Sequence, residues 1–128
     1  MALDISQAAL AVARRNAARH KVEDRLTFVN ASFENLPPTP GGYGLIVSNP
    51  PYVSEAEYAE LSPEVAGFEP RGALVPGREG LEAYPVVARA ALENLSPGGT
   101  LMLEIGWRQG KAVKELLESP EFGFEGAA

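Results

Sequence analysis

The chain has 128 residues, with 17 acidic against 11 basic side chains and a net charge of −6. Its 45% hydrophobic and 22% charged residues fit one ordinary globular domain. With no cysteine and one histidine, His20, it has neither a disulfide framework nor a thiolate or histidine-rich metal site, so no metal is expected. No run of Lys or Arg forms a basic stripe, which argues against a protein that grips nucleic acid through its phosphates. No apolar stretch reaches the roughly 20 residues of a membrane span. No charged n-region with an apolar h-region opens the chain, so a cytoplasmic protein is expected.

The elements follow in order. Met1 to Leu3 run as a short apolar segment into Asp4. Ser6 suits a helix cap, and Gln7 to Arg19 are nearly all strong helix formers. Ile5, Ala9, Leu10, Ala13 and Ala17 fall on one face; Arg14, Arg15 and Arg19 are expected on the solvated one, and His20 at the helix end. Leu26 to Asn30 read as a strand. Pro37 to Gly42 is a breaker cluster and must be a loop. Tyr43 to Ser48 is the next strand. Ser54-Glu55-Ala56-Glu57 has the form of a capping box opening a short helix. Ser62 to Gly80, with three Pro and four Gly, is expected to be irregular. Leu81, Tyr84, Ala88, Ala91, Leu92 and Leu95 keep helical spacing, with Pro85 tolerable only in the first turn. Pro97-Gly98-Gly99 is expected to end that helix. Thr100 to Ile105 form a strand, Gln109 to Leu117 a helix, and Phe122 with Phe124 the start of another strand.

This β-α-β-β-α-β-α order favours a parallel, doubly wound α/β sheet. Right-handed crossovers would bring the carboxyl ends of the strands to one edge, with Asp4, Ser32-Phe33, Asn49 and Gly106. Ligands of open α/β sheets bind at that edge. Asn49-Pro50-Pro51-Tyr52 leaves the apolar strand there. Two prolines fix φ and remove two donors, so no strand or helix continues through them. What remains is a stiff loop with one amide side chain, carbonyl groups and an aromatic ring, suited to a small planar group with hydrogen-bonding edges.

Together these residues resemble the S-adenosylmethionine-dependent protein-glutamine methyltransferases that modify peptide chain release factors (the HemK/PrmC type). The matching segments are Asp4-Ile5-Ser6 with Ala9 to Ala13 and Asn16-Ala17; Ile46 to Val53; Phe68-Glu69-Pro70-Arg71; Gly80-Leu81 with Tyr84; Leu95 to Gly99; and Leu103-Glu104-Ile105-Gly106 with Gln109-Gly110. They cover essentially the whole chain in order. Asn-Pro-Pro-Tyr alone is shared with other amino-methyltransferases. The Phe-Glu-Pro-Arg and Leu-Glu-Ile-Gly segments narrow the resemblance to the glutamine branch.

The resemblance implies a Rossmann-like methyltransferase sheet that is incomplete, residues 1–128 being a partial catalytic domain. The family's first strand with its glycine-rich loop, its amino-terminal helical domain and its closing β-hairpin have no counterpart here. The sheet is then expected to divide into two strand pairs, and the chain alone to be marginally stable.

The resemblance also implies roles. Asp4, Ile5, Ser32, Phe33 and Asn49 would bind S-adenosylmethionine, with Asp4 on the ribose hydroxyls and Phe33 near the adenine. The plain alternatives are a helix-terminus acid for Asp4 and core packing for Phe33. Ser32 departs from the acidic residue common in the family. Asn49, Pro50 and Tyr52 would be catalytic. The Asn49 side-chain oxygen and the Pro50 carbonyl would accept the N–H protons of the acceptor amide, orienting its lone pair. Tyr52 would stack on the amide and exclude water. The plain alternative is a structural Pro-Pro turn. Asn49, Pro50, Pro51, Tyr52, Glu69 and Arg71 would meet the substrate, although a surface ion pair serves Arg71 equally well. Glu104 either faces the cleft or holds a loop. Trp107 is expected to pack. The expected reaction is methyl transfer to a glutamine side-chain amide of a release factor, without direct nucleic-acid or membrane contact. The alternatives are methylation of a ribosomal-protein glutamine or of an adenine in nucleic acid, or a truncated, non-catalytic module. The acidic balance weighs against the adenine version.

Overall fold

A computed structural model describes residues 1–126, apart from the side chain of residue 66. The chain divides into two compact units, Met1–Pro38 and the part from Thr39 onward.

In the first unit, strand β1 (Ala2–Asp4) pairs in parallel with β2 (Phe28–Asn30), from Ala2 opposite Phe28 to Asp4 opposite Asn30. Helix α1 (Gln7–His20) makes the crossover. Ser6 caps it as expected, its hydroxyl accepting the Ala9 N–H at 3.2 Å. Lys21 closes it in the left-handed region at φ 56°, its N–H reaching the carbonyls of Ala17 and Ala18. Leu10 and Ala17, two turns apart, are its buried residues. Ile5 and Ala9, expected on that face, are exposed. Arg14, Arg15 and Arg19 are exposed as expected, and the Arg14 guanidinium lies 4.6 Å from the centre of the Phe28 ring. β2 is shorter than the expected Leu26–Asn30 segment. A 3₁₀ turn at Glu23–Arg25 takes the Leu26 N–H, and Thr27 keeps only a carbonyl bond from Ala2 at 2.8 Å.

In the second unit, β3 (Tyr43–Ser48) pairs in parallel with β4 (Leu95–Leu103). Between them come α2 (Glu55–Glu60), α3 (Pro63–Ala66), α4 (Arg71–Leu74) and α5 (Ala83–Asn94). The capping box of α2 is present in full, and Pro85 sits in the first turn of α5. Two expectations are corrected here. Ser62 to Gly80 is not wholly irregular: Pro63 starts one short helix and Arg71 another. Pro97-Gly98-Gly99 does not mark the helix end either. The helix stops at Asn94, and Leu95 already pairs with Tyr43. The Pro-Gly-Gly segment is an irregularity inside β4, after which Thr100 pairs with Leu45. Ser96 holds the offset by donating to the Tyr43 carbonyl at 3.2 Å.

The core of this unit is the buried face of α5: Tyr84, Ala88 and Ala91 have no exposure, with Val87 beside them. Helix α6 (Gly110–Leu117) adds Val113. The last expected strand is also corrected. Ser119 accepts the N–H of Phe122 and of Gly123, and Phe124 bonds back to Leu117. Pro120 and Gly123, at φ 60°, shape this turn and fold Phe122 into the core, under the Arg89 guanidinium. Arg89 also pairs with Glu121.

The two strand pairs are separate two-stranded sheets, the division expected from the resemblance. Leu45, Val47 and Met102 leave one face of β3–β4 exposed. Among the described residues, no helix is long and apolar enough to cross a membrane, and no cluster of His, Asp and Glu could hold a metal.

Candidate active site

Parallel pairing of β3 with β4 sets Ser48 opposite Leu103, and the Glu104 N–H continues the ladder to the Ser48 carbonyl at 2.9 Å. The loops Asn49–Tyr52 and Glu104–Gln109 therefore leave the same edge. This is the sheet edge at which the sequence places a ligand site.

Asn49 is exposed and Pro50 buried; Pro51 and Tyr52 are half-buried. The proline pair thus anchors the loop while the amide side chain faces solvent. Tyr52 is held at both ends. Its phenol donates to Glu104 Oε1 at 3.1 Å, and its carbonyl accepts from Gln109 Nε2 at 2.9 Å. The Glu104 hydrogen bond, then partial burial and the Glu104 charge, push the Tyr52 phenol above its ordinary pKa. Of the two roles weighed for Glu104, the structure displays the second: it fixes the ring. Next along the chain, the Val53 N–H donates to Leu74 at the end of α4, and Ser54 enters the α2 capping box. In that box, the Ser54 hydroxyl and then its N–H hold the Glu57 carboxyl below its ordinary range.

Tyr52 forms one wall of a cleft of about 380 Å³, with Val53, Leu61, Ile105, Trp107 and Arg108 among the others. Trp107 is not the packing residue expected. It is 83% exposed, with the Arg108 guanidinium 4.2 Å from the centre of its ring. Glu69 and Arg71 are not part of this cleft. Arg71 donates to Glu55 at 2.8 Å and lies 5.4 Å from the Tyr58 ring centre, the surface pair that the plain alternative describes.

In the first unit, the ends of β1 and β2 lie side by side. Asp4 Oδ1 accepts the Ser6 N–H at 2.7 Å, which aims the carboxylate while using one of its roughly four acceptor positions. Asn30, which the sequence reading passed over, donates to the carbonyls of Asp4 and Ile5 at 2.9 and 2.8 Å. It fixes the exit of β1 from the neighbouring strand. Ser32 caps a 3₁₀ turn over Phe33–Asn35, accepting the Glu34 N–H at 3.3 Å. Phe33 is half-buried and Ile5 is 71% exposed. Asp4 and Ile5 thus leave β1, and Ser32 and Phe33 follow β2, at the same end of the strand pair. The Asp4 carboxylate keeps acceptor positions beyond the one that Ser6 uses.

Gln109 is the second residue whose role was not legible. Its only sequence signal is its place in the Gln109-Gly110 segment, ahead of α6.

Comparison with known proteins fits this geometry. Residues 1–61, which contain Asp4, Ser32, Phe33 and Asn49 to Tyr52, match the family described as UPF0020, an RMKL-like methyltransferase domain. A release factor glutamine methyltransferase of Nitratidesulfovibrio vulgaris is 48% identical over 116 residues, 91% of this chain and 39% of that protein. Over most of its length the chain is similar to release factor glutamine methyltransferases. Another, from Cereibacter sphaeroides, is also 48% identical, over 93% of this chain and 42% of its own length. A bifunctional methyltransferase of Rickettsia felis is 40% identical over 98% of this chain and 24% of its own length. The chain thus spans about two fifths of the length of the first two methyltransferases it matches.

Proposed function

We propose that the chain is part of the catalytic domain of a cytoplasmic enzyme that transfers a methyl group from S-adenosylmethionine to the side-chain amide of a glutamine in a peptide chain release factor. The observation that carries this reading is the Asn49–Tyr52 loop. It stands at the carboxyl edge of a parallel strand pair, its tyrosine fixed by Glu104 and Gln109, in a chain 48% identical to enzymes named for that reaction. The finer fold reading belongs to the same proposal: the strand pairs are parts of a Rossmann-like methyltransferase sheet. Two separate parallel strand pairs support it.

When bound, S-adenosylmethionine supplies an electrophilic methyl on a sulfonium. Asp4 would hold the ribose hydroxyls, Ile5 and Phe33 would flank the base, and the Ser32 hydroxyl would offer one further polar contact. An amide nitrogen is a weak nucleophile because its lone pair is delocalised into the carbonyl. Asn49 Oδ1 and the Pro50 carbonyl would accept its two N–H groups, which fixes the direction of the lone pair and stabilises positive charge on nitrogen. The Tyr52 ring, with Pro51, would cover the flat amide and exclude water. The product proton becomes acidic once the nitrogen is alkylated, so water suffices to take it. Glu69 and Arg71 would meet the release factor further from the reacting atoms.

Calorimetry tests the cofactor half. S-adenosylmethionine should bind the protein, and Asp4→Ala should weaken binding roughly 10- to 100-fold, the loss of a charge-assisted hydrogen bond of about 1.5–3 kcal/mol. Equal binding by wild type and Asp4→Ala would remove Asp4 from the site.

A further inference from the structure

We propose that Gln109 is the positioning residue for the acceptor loop, its amide locking the Tyr52 backbone so that the Tyr52 ring reaches Glu104. The inference deepens the methyltransferase reading and rests on it.

The Gln109 side chain makes four hydrogen bonds. Its Nε2 donates to the Tyr52 carbonyl at 2.9 Å and the Gly80 carbonyl at 3.2 Å. Its Oε1 accepts from the Tyr84 hydroxyl at 2.7 Å and the Gly106 N–H at 3.0 Å. The amide's two donors and its acceptor oxygen are all in use. The orientation is also unique. The two carbonyls only accept and the Gly106 N–H only donates, so a flipped amide would set oxygen against oxygen and N–H against N–H. One side chain ties together the residue that ends the Asn-Pro-Pro-Tyr loop, the glycine that precedes α5, the buried tyrosine of α5 and the turn after β4.

The neighbours leave little freedom. Tyr84 has no exposure, and Gly80 is buried against the loop. A Cβ at Gly80 would stand 2.5 Å from the Tyr52 carbonyl oxygen and 3.1 Å from Gln109 Nε2. Tyr52 is thus gripped at its backbone by Gln109 and at its ring by Glu104, and the two grips are geometrically linked. Release of the carbonyl lets the loop swing and draws the phenol off the carboxylate. The other side chains at hand cannot substitute. Asparagine is one methylene short, and glutamate would turn an oxygen toward two carbonyls.

The test uses the protein bearing this sequence, labelled at the tyrosine ring carbon that carries the hydroxyl, with Tyr52→Phe to assign its signal. The variants are Gln109→Met, similar in shape but without hydrogen bonds, Tyr84→Phe, which removes a single partner, and the core control Val113→Ala. In wild type the Tyr52 phenol should titrate above the ordinary tyrosine value. In Gln109→Met it should fall back to that value, and in Tyr84→Phe it should move partway, which decides the matter even if Gln109→Met folds poorly. Val113→Ala should leave it unmoved. In methyl transfer, Gln109→Met should lower kcat about 100-fold with an unchanged KM for S-adenosylmethionine, the effect of a displacement of about 1 Å in a positioning group. An unmoved Tyr52 titration with an unchanged kcat would overturn the proposal. So would a Val113→Ala variant that shifts both as far as Gln109→Met. Absence of methyl transfer by wild type would instead count against the methyltransferase reading, while the titration still decides the role of Gln109.

Discussion

Gly80→Ala offers the most exacting check on the packing behind the acceptor loop. Two costs add. Gly80 adopts φ +80°, where a residue with a Cβ loses about 1–2 kcal/mol. The new Cβ would also lie 2.5 Å from the Tyr52 carbonyl oxygen and 2.9 Å from the Ser54 nitrogen. Both are backbone atoms in hydrogen-bonded positions, so they yield only by moving the loop. Ordinary contact begins at 3.4 Å, which makes the required shift 3.4 − 2.5 = 0.9 Å. Overpacking of that kind costs about 1–3 kcal/mol, for a total of about 2–5 kcal/mol. Gly41 separates the two terms, because it has φ +82° with nothing within 4 Å of its Cβ position. Gly41→Ala should cost only the conformational part, about 1–2 kcal/mol. Urea unfolding of the three proteins, with equal slopes, measures both differences. A Gly80→Ala cost no larger than that of Gly41→Ala would refute this packing.

Other expectations follow from single elements. Leu10→Ala, at the buried face of α1, should lose about 2–5 kcal/mol in urea unfolding; a loss of the size of a surface substitution would refute that packing. Ser54→Ala should destabilise α2 by about 1 kcal/mol, read as faster amide exchange over Glu55–Glu60. The same cap carries a pH dependence. Glu57 is held below its ordinary value, so its stabilisation is present above that value and is lost as pH falls through the lowered one. Amide exchange in α2 that ignores acidification would contradict this. At the alkaline end, Tyr52 is raised mainly by the Glu104 hydrogen bond and Tyr84 mainly by burial. Their contribution is complete below the ordinary tyrosine value and is lost as pH rises through the raised values. Glu104→Gln should shrink the Tyr52 part of that loss strongly and the Tyr84 part only slightly, because burial is the first cause there and the Glu104 charge the last.

Where one residue type carries a local rule, the sequence foretells the structure. Ser6 and Ser54 cap the helices they were expected to cap, and Pro85 sits in a first turn. Strand pairs joined by crossovers are parallel, and Asn49 to Tyr52 stands at a strand end. What was not legible depends on partners distant in sequence. Pro97-Gly98-Gly99 reads as a terminator locally, yet a strand runs through it because Tyr43 and Ser96 hold the offset. Phe122 has strand propensity, but the turn at Ser119 and the core beneath Arg89 claim it. In the site, the residues proposed to meet a ligand were readable from the Asn-Pro-Pro-Tyr segment and from Asp4. The supporting residues Asn30 and Gln109 were not. An amide side chain has no periodicity or charge to betray it, and its value lies in carbonyls that only the fold brings within reach.

The central claim is methyl transfer to a glutamine amide. The most direct measurement incubates the protein with methyl-labelled S-adenosylmethionine and an unmodified release factor, and locates the label by mass spectrometry of the peptides. One methyl on a glutamine side chain, abolished in Asn49→Ala and retained in Val113→Ala, is the predicted result. Label on RNA or on another residue type, or undiminished transfer by Asn49→Ala, would contradict it.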